Sequence, residues 1–509
     1  MRHTARCLLL FPLIAACGTT VPMSQQVQVS PGTVAPGGVT GDGTTSTGGS
    51  ATSGGQPGSG DQGATGSQQQ VTAGPQANVG STGQGYAPTA TTGGIPTKGR
   101  GWDATHVYLG LPTEKDAQAT FKALGVSFDP GDESADAQAV VAAINARGGL
   151  FGRQLSIVEH DNSTPAVESN PSQVAEENCT IFAQDHPVAA VLSALSAIDL
   201  SACLSRAKMA DLELGSVAFD AQAYATYGRF MWTTAFPNVT QLATVLIPRL
   251  QAKGYFGGWN TTTGAAGTGR AKVGILEPDS PSGRRITQQL TASLKKAGVD
   301  LASTFLYTDS AGSYGTQMNS AVLQFASAGV THVLNIPPVA AVMLFFTQTA
   351  ENQHYRPRYG LTSYTLPNQQ AADLPHGQLN GAMGVGFLPG ADVSGAQTPA
   401  PSPAARACDA TMKAHGVNNT NPISIGAARQ VCDAINLFVA AALAGEGLSP
   451  DALSRGMTTA GPRFSPAATF SSKLTATDRA LPGSVRDITY SPGCVCYSYT
   501  SAPMPIPGT

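Results

Sequence analysis

From Thr105 onward, short apolar runs alternate with longer stretches whose apolar positions recur every three or four residues. HVYLGL (106–111) reads as a strand, followed by helices over about 114–124 and 134–147 and a short strand around Leu155, Ile157 and Val158. A helix over 171–185, the strand VAAVLS (188–193), a helix to about 208 and the strands DLELGS (211–216) and FMWTTAFP (230–237) complete a first series. A second series begins at a helix over 239–253. It continues through AKVGILEPD (271–279), a helix over 282–297, LASTFLY (301–307), a helix over 315–328, THVLNI (331–336), a helix over 339–353 and RYGLTS (358–363). Strands separated by helices at this interval predict parallel sheets covered on both faces. The pattern therefore implies an α/β chain with two Rossmann-like lobes.

Past Tyr364 the rhythm changes. GAMGVGFL (381–388) reads as a further strand, and SIGAARQVCDAINLFVAAALAGEG (424–447) as a helix apolar nearly all round, hence buried between other elements. VRDITYSP and CVCYSYT are strand-like and are expected to extend the second lobe's sheet.

The stretch AAINARGGLFGRQLSIVEHD (142–161) joins a helix to a strand with unusual economy. Val140, Val141 and Ile144 keep helical spacing, and Gly148 stands where a left-handed residue would end the helix. Gly149 and Gly152 leave Leu150 and Phe151 free to plug a neighbouring core.

Composition alters the picture at the N-terminus. Residues 1–17 place Arg2 and Arg6 before an apolar run too short for a stable span. The run ends Ile14-Ala15-Ala16-Cys17, which resembles a bacterial lipobox; the alternative is an ordinary secretory signal cut at Ala-x-Ala. Residues 18–101 are dominated by Gly, Ser, Thr, Gln and Pro and cannot offset the entropy of ordering, so a flexible tether is expected, with a span on the order of 50 Å. A net charge of −3 with 12% charged residues gives no basic stripe, which argues against nucleic acid as a partner.

Beyond Cys7 and Cys17, six cysteines remain: Cys179, Cys203, Cys408, Cys432, Cys494 and Cys496. Cys179 with Cys203, and Cys408 with Cys432, would each link two consecutive helices. Cys494 and Cys496 would close a tight ring or pair elsewhere. Buried thiols or a metal site are the alternatives, and no histidine stands at ligand spacing. No GxSxG, Walker A or HExxH motif occurs, and GSGDQG (58–63) lies in the tether with no strand before it, so no enzyme, cofactor or metal is expected.

The phrase INARGGLFGRQLSIVEHD resembles a signature of the type I periplasmic binding proteins, the solute receptors of ABC importers in the branched-chain amino acid class. Ile144, Asn145, Gly148, Gly149, Gly152 and Asp161 carry the match. The resemblance spans roughly 105–500 and implies a Venus-flytrap architecture of two lobes joined by three crossings. Lobe 1 is then expected over 102–233 and 363–458, lobe 2 over 234–362 and 459–500, and 501–509 as a disordered tail. It further implies a monomeric, exported lipoprotein, anchored through Cys17 to the outer face of the membrane, that passes a small solute to an ABC permease. A sensory or scaffolding lipoprotein of the same fold is the second possibility.

By the same resemblance the ligand sits between the lobes at the strand ends. Thr113, Ser196, Ala197 and Ser216 would form one wall, Asp279, Ser282 and Pro338 the other, with Tyr364 at a crossing. In amino-acid receptors of this family, serine and threonine hydroxyls with backbone N–H groups hold the ligand carboxylate, and an acid or aromatic holds the ammonium. Ser196 could equally cap a helix, in competition with Asp199. Tyr364 could pack on an apolar ligand or simply fill a crossing. Pro337 and Pro338 stand where an acid would be expected, leaving Asp279 as the nearest acidic candidate, which counts against a simple zwitterionic amino acid.

Overall fold

A computed structural model describes residues 95–508, apart from 124, 194–197, 216–217 and 337–339. The first sheet contains β1 (His106–Thr113), β2 (Gln154–Asp161), β3 (Ala190–Ser193), β4 (Ala210–Glu213) and β5 (Met231–Thr233). All neighbours are parallel, in the order β2-β1-β3-β4-β5. Parallel strands need long crossovers, which the intervening helices supply. Val107, Leu109 and Leu111 of β1 point into a core shared with the helices Glu133–Asn145, Pro403–Ala414, Pro422–Ala444 and Pro450–Ala460. On the opposite face Val191 packs with Phe182, Leu200 and Leu204.

The second sheet adds β6 (Lys272–Pro278), β7 (Asp300–Tyr307), β8 (His332–Leu334), β9 (Arg358–Thr362), β10 (Met383–Gly386), β11 (Ser484–Ser491) and β12 (Cys496–Tyr499). Their order is β12-β11-β10-β9-β8-β6-β7, with β11 antiparallel to both of its neighbours and the other neighbours parallel. The helices Val239–Ala252 and Pro281–Lys296 cover one face, Tyr314–Ser327 and Ala340–Asn352 the other. Both terminal strand-like segments thus extend the second lobe's sheet. Pro422–Ala444 is long and apolar enough to cross a membrane, yet Val431, Ile435, Leu437 and Phe438 on it are buried in the first core.

The helix-to-strand joint has a physical explanation at each signature position. Gly148, Gly149 and Gly152 take φ of +101°, +71° and +74°. A Cβ on Gly149 would stand 1.9 Å from the Arg153 carbonyl oxygen, so the tight return of the chain excludes any side chain there. Asn145 acts as a substitute strand neighbour. Its amide donates to the Leu155 carbonyl at 2.9 Å and its oxygen accepts the Leu155 N–H at 2.7 Å. Leu150 is inserted in the core.

Four expected boundaries move. β10 pairs with β9, and Leu388, Ala391 and Val393 still pack in the second lobe's core, so the chain stays in that lobe through about Val393 rather than leaving it at 363. Phe464, Ala467, Leu474 and Leu481 pack in the first core, so the last crossing falls just before Ser484 and not at 459. Strand partners are chosen by tertiary packing, which an isolated apolar run does not specify. The tail expected over 501–509 also docks: Met504 and Pro505 pair with Val485 and Ser484, and Ile506 is buried. At the other end, the tether's expected limit at 101 is too late. The Pro96 carbonyl accepts from Trp102 Nε1 at 3.0 Å and from Arg153 at 3.1 Å, which ties that segment to the first lobe.

The sulfur atoms of Cys179 and Cys203 lie 2.05 Å apart, those of Cys408 and Cys432 2.02 Å, and those of Cys494 and Cys496 1.90 Å.

Candidate functional site

A cavity of about 780 Å³ opens between the sheets, and both lobes supply its walls. Thr113, Asp279, Ser282 and Tyr364 line it together. Ser196, Ala197, Ser216 and Pro338 lie outside the described residues, as does Cys17. Their described neighbours Asp199, Gly215 and Ala218 reach the same cavity.

On the first wall β1 ends at Thr113, whose hydroxyl donates to Asp161 Oδ1 at 3.2 Å. That carboxylate also receives the Lys115 N–H at 3.0 Å, so the last residue of the signature fixes the turn leaving β1. At the end of β4 the Glu213 carboxyl accepts the Gly215 N–H at 2.7 Å and shapes the next exit loop. Glu213 is wholly buried, and burial pushes its pKa well up, with Asp211 two residues earlier adding repulsion. Asp211 takes the Ser193 hydroxyl at 2.6 Å, and burial raises it to about 6.

The second wall repeats the device. Glu277, near the end of β6, is wholly buried and accepts the Ile336 N–H at 3.1 Å; burial again drives its pKa well up. Asp279 forms an ion pair with Arg284 at 2.6 Å, so this candidate acid already has a cation. Ser280 caps the Pro281–Lys296 helix by accepting the Gly283 N–H at 3.0 Å. The Ser282 hydroxyl spans the lobes to the Ala218 carbonyl at 3.3 Å. Tyr364 is buried, its hydroxyl donates to the Pro237 carbonyl at 3.1 Å, and its ring lies 4.9 Å from that of Phe236. The expected crossing at Tyr364 is thus corrected: the residue sits within the second lobe, packs against the Phe236–Pro237 segment and lines the cavity.

One contribution escaped the sequence reading. The segment 121–133 swings from the first lobe to the second. Val126, Phe121 and Phe128 pack against the second lobe's core. Ser127 donates its N–H and hydroxyl to Asp373 at 3.0 and 2.7 Å. The same segment delivers Asp132, the cap of the Glu133–Asn145 helix, and Glu133 to the cavity. Burial, then Glu114, Asp136 and Asp132, raise the Glu133 carboxyl to about 7. Capping residues and cleft acids look alike in a sequence, so nothing there set Glu133 apart. Glu277 did carry a signal, as the lone acid of a largely apolar strand, and Glu213 a weaker one, as one of two acids alternating with apolar residues.

A family model described as "Periplasmic binding protein" matches residues 125–482. The chain belongs to the type I periplasmic binding proteins. Solute-binding proteins of this family are extracytoplasmic and non-enzymatic, bind small-molecule solutes and work with ABC permeases. Among solved structures, a branched-chain amino acid ABC transporter protein from Thermus thermophilus with bound valine aligns with a TM-score of 0.56 at 13% identity, covering 79% of this chain and 97% of that one. A substrate-binding protein from Desulfitobacterium hafniense in complex with Leu gives 0.53 at 14%, with 77% and 99% covered. A solute-binding protein from R. palustris in complex with 4-hydroxybenzoate gives 0.55 at 13%, with 79% and 98% covered. At these identities the likeness shows the fold. Compared with curated protein sequences, the chain finds no match.

Proposed function

We propose that this binding protein is an exported lipoprotein, held to the outer face of the membrane through Cys17, that captures a small amphipathic solute between its lobes and delivers it to an ABC importer. The observation that carries the reading is the 780 Å³ cavity with walls from both lobes. It has the size of a small-molecule site and mixes aromatic with polar groups. Thr113, Ser196, Ala197, Ser216, Asp279, Ser282, Pro338 and Tyr364 are proposed to surround the ligand, and closure follows from contacts that a solute makes to both walls at once. Disulfides Cys179–Cys203, Cys408–Cys432 and Cys494–Cys496 complete the proposal, in keeping with an oxidising compartment.

A thermal-shift screen of the oxidised protein against amino acids, amides, polyols, aromatic acids and amines tests it. A solute at 100 times its dissociation constant stabilises by about 2.7 kcal/mol. No response to any class would contradict the receptor reading and favour a sensory or scaffolding role. Replacing Cys17 by Ala should release the protein from membranes.

A further inference from the structure

We infer that the solute taken by this cleft is an organic cation, an amine or quaternary ammonium carried on an apolar body of about aromatic size. The inference rests on the receptor reading above and specifies its ligand.

The first argument is the sign of the ionisable lining. Glu114, Asp132 and Glu133 approach from the first lobe, Asp279 and Asp309 from the second. Among the described lining residues Lys115 is the one basic side chain, and it is bound to Glu159 at 2.5 Å. The stretches 194–197, 216–217 and 337–339 read Ala-Leu-Ser-Ala, Ser-Val and Pro-Pro-Val, so they bring no ionisable side chain. A carboxylate ligand would enter a cleft with an excess of negative charge and, among the described lining residues, no basic side chain without an acidic partner.

Partnering separates these acids further. Asp279 has Arg284, Asp132 caps a helix through the Ala135 N–H at 2.9 Å, and Asp309 receives the Tyr314 hydroxyl. Glu133 has no hydrogen bond or ion pair to a described residue, and its charged surroundings are Glu114, Asp136 and Asp132. A carboxyl held among like groups in a cavity is the arrangement that an incoming cation completes.

The aromatic lining is independent of these carboxyls and selects the same sign. Phe121 and Phe128 meet edge to face at 5.3 Å, against the cluster in which Tyr307 and Tyr314 stand 6.3 Å apart, and Phe236 and Tyr364 add a second pair at 4.9 Å. Ring faces carry negative potential, and such a lining attracts ammonium groups while accommodating an apolar body.

Calorimetric titration of the full chain with three probes of one shape tests this: 2-phenylethylamine (with its trimethylammonium analogue), 2-phenylethanol and 3-phenylpropionate. The cations should bind at least about tenfold tighter than the alcohol, with the carboxylate weakest, and the preference should shrink as salt rises. Glu133→Gln should weaken the cation about tenfold and leave the alcohol unchanged. Asp300→Asn, an exposed acid at the far end of β7, should change neither. Tighter binding of 3-phenylpropionate, or of a zwitterionic amino acid from the wider screen, would overturn the cation assignment and leave the receptor reading standing. Failure of every compound to bind would overturn both.

Discussion

Asn145 and Gly149 show how far single positions decide this fold. Asn145→Ala would leave the Leu155 N–H and carbonyl without their partner and should cost about 1–3 kcal/mol. Gly149→Ala combines a positive φ with a methyl 1.9 Å from the Arg153 carbonyl oxygen, whereas a methyl on Gly152 meets nothing within 4 Å at a similar φ. Urea unfolding should therefore show a clearly larger loss for Gly149→Ala than for Gly152→Ala, the latter about 1 kcal/mol. Equal losses would mean that the close approach is absent in solution. Glu133 makes a functional prediction at the same scale. With its carboxyl near 7, a proton competes with a bound cation below that pH. Its charged neighbours Glu114, Asp132 and Asp136 are all acidic, with the Lys115–Glu159 pair beyond Thr113, so the ionised form gains most from the ligand. Dissociation constants for the amine should fall between pH 5.5 and pH 8, and Glu133→Gln should flatten that dependence.

At the scale of elements, the segment from Phe121 to Glu133 couples closure to recognition. Its Ser127 holds Asp373 across the seam, and a few residues later the same chain presents Glu133. Asp373→Ala should raise the ligand off-rate several-fold while changing stability by less than about 1 kcal/mol, because Ser127 and Asp373 are near solvent. An unchanged off-rate measured by stopped flow would remove the latch from the account. This bridging was not legible in the sequence: Phe121, Val126 and Phe128 resemble any apolar positions beside a short helix. The strands themselves were legible, because β1 and β6 are near-continuous apolar runs of the kind that parallel sheets bury. Their grouping was less so. β10 offers the same apolar character to either sheet, and only its pairing with β9 assigns it to the second lobe. The two longer sulfur pairs also act between elements. Non-reducing peptide maps should link 179 with 203 and 408 with 432, and removing either link should cost about 3–4 kcal/mol. Free thiols at these positions would refute the pairing.

Across the whole molecule, buried carboxyls outweigh paired ones in setting how stability follows pH. Burial raises Asp136 and Asp211 to about 6 and Glu133 and Asp392 to about 7, and pushes Glu213 and Glu277 well above the ordinary carboxyl value. Each retains a proton in the folded state at a pH where the unfolded chain has released it, so stability falls as pH rises from about 4.5 through 7. Glu351, drawn down to about 2 by Arg356, acts in the opposite sense and loses its contribution below about 4.5. The urea midpoint should accordingly be higher at pH 5 than at pH 8; the reverse order would show that the buried acids are ionised. The two-lobed architecture could be read from the order of strands and helices, and the family from one helix-to-strand phrase. The sign of the cleft could not, because it depends on which acids the fold gathers and which it has already paired. Hydrogen exchange of the protein with and without 2-phenylethylamine tests the central claim most directly. Protection should appear together in peptides spanning 113–133 and in those spanning 278–283 and 307–314, on both sides of the seam. Protection confined to one lobe, or appearing away from the seam, would contradict the account.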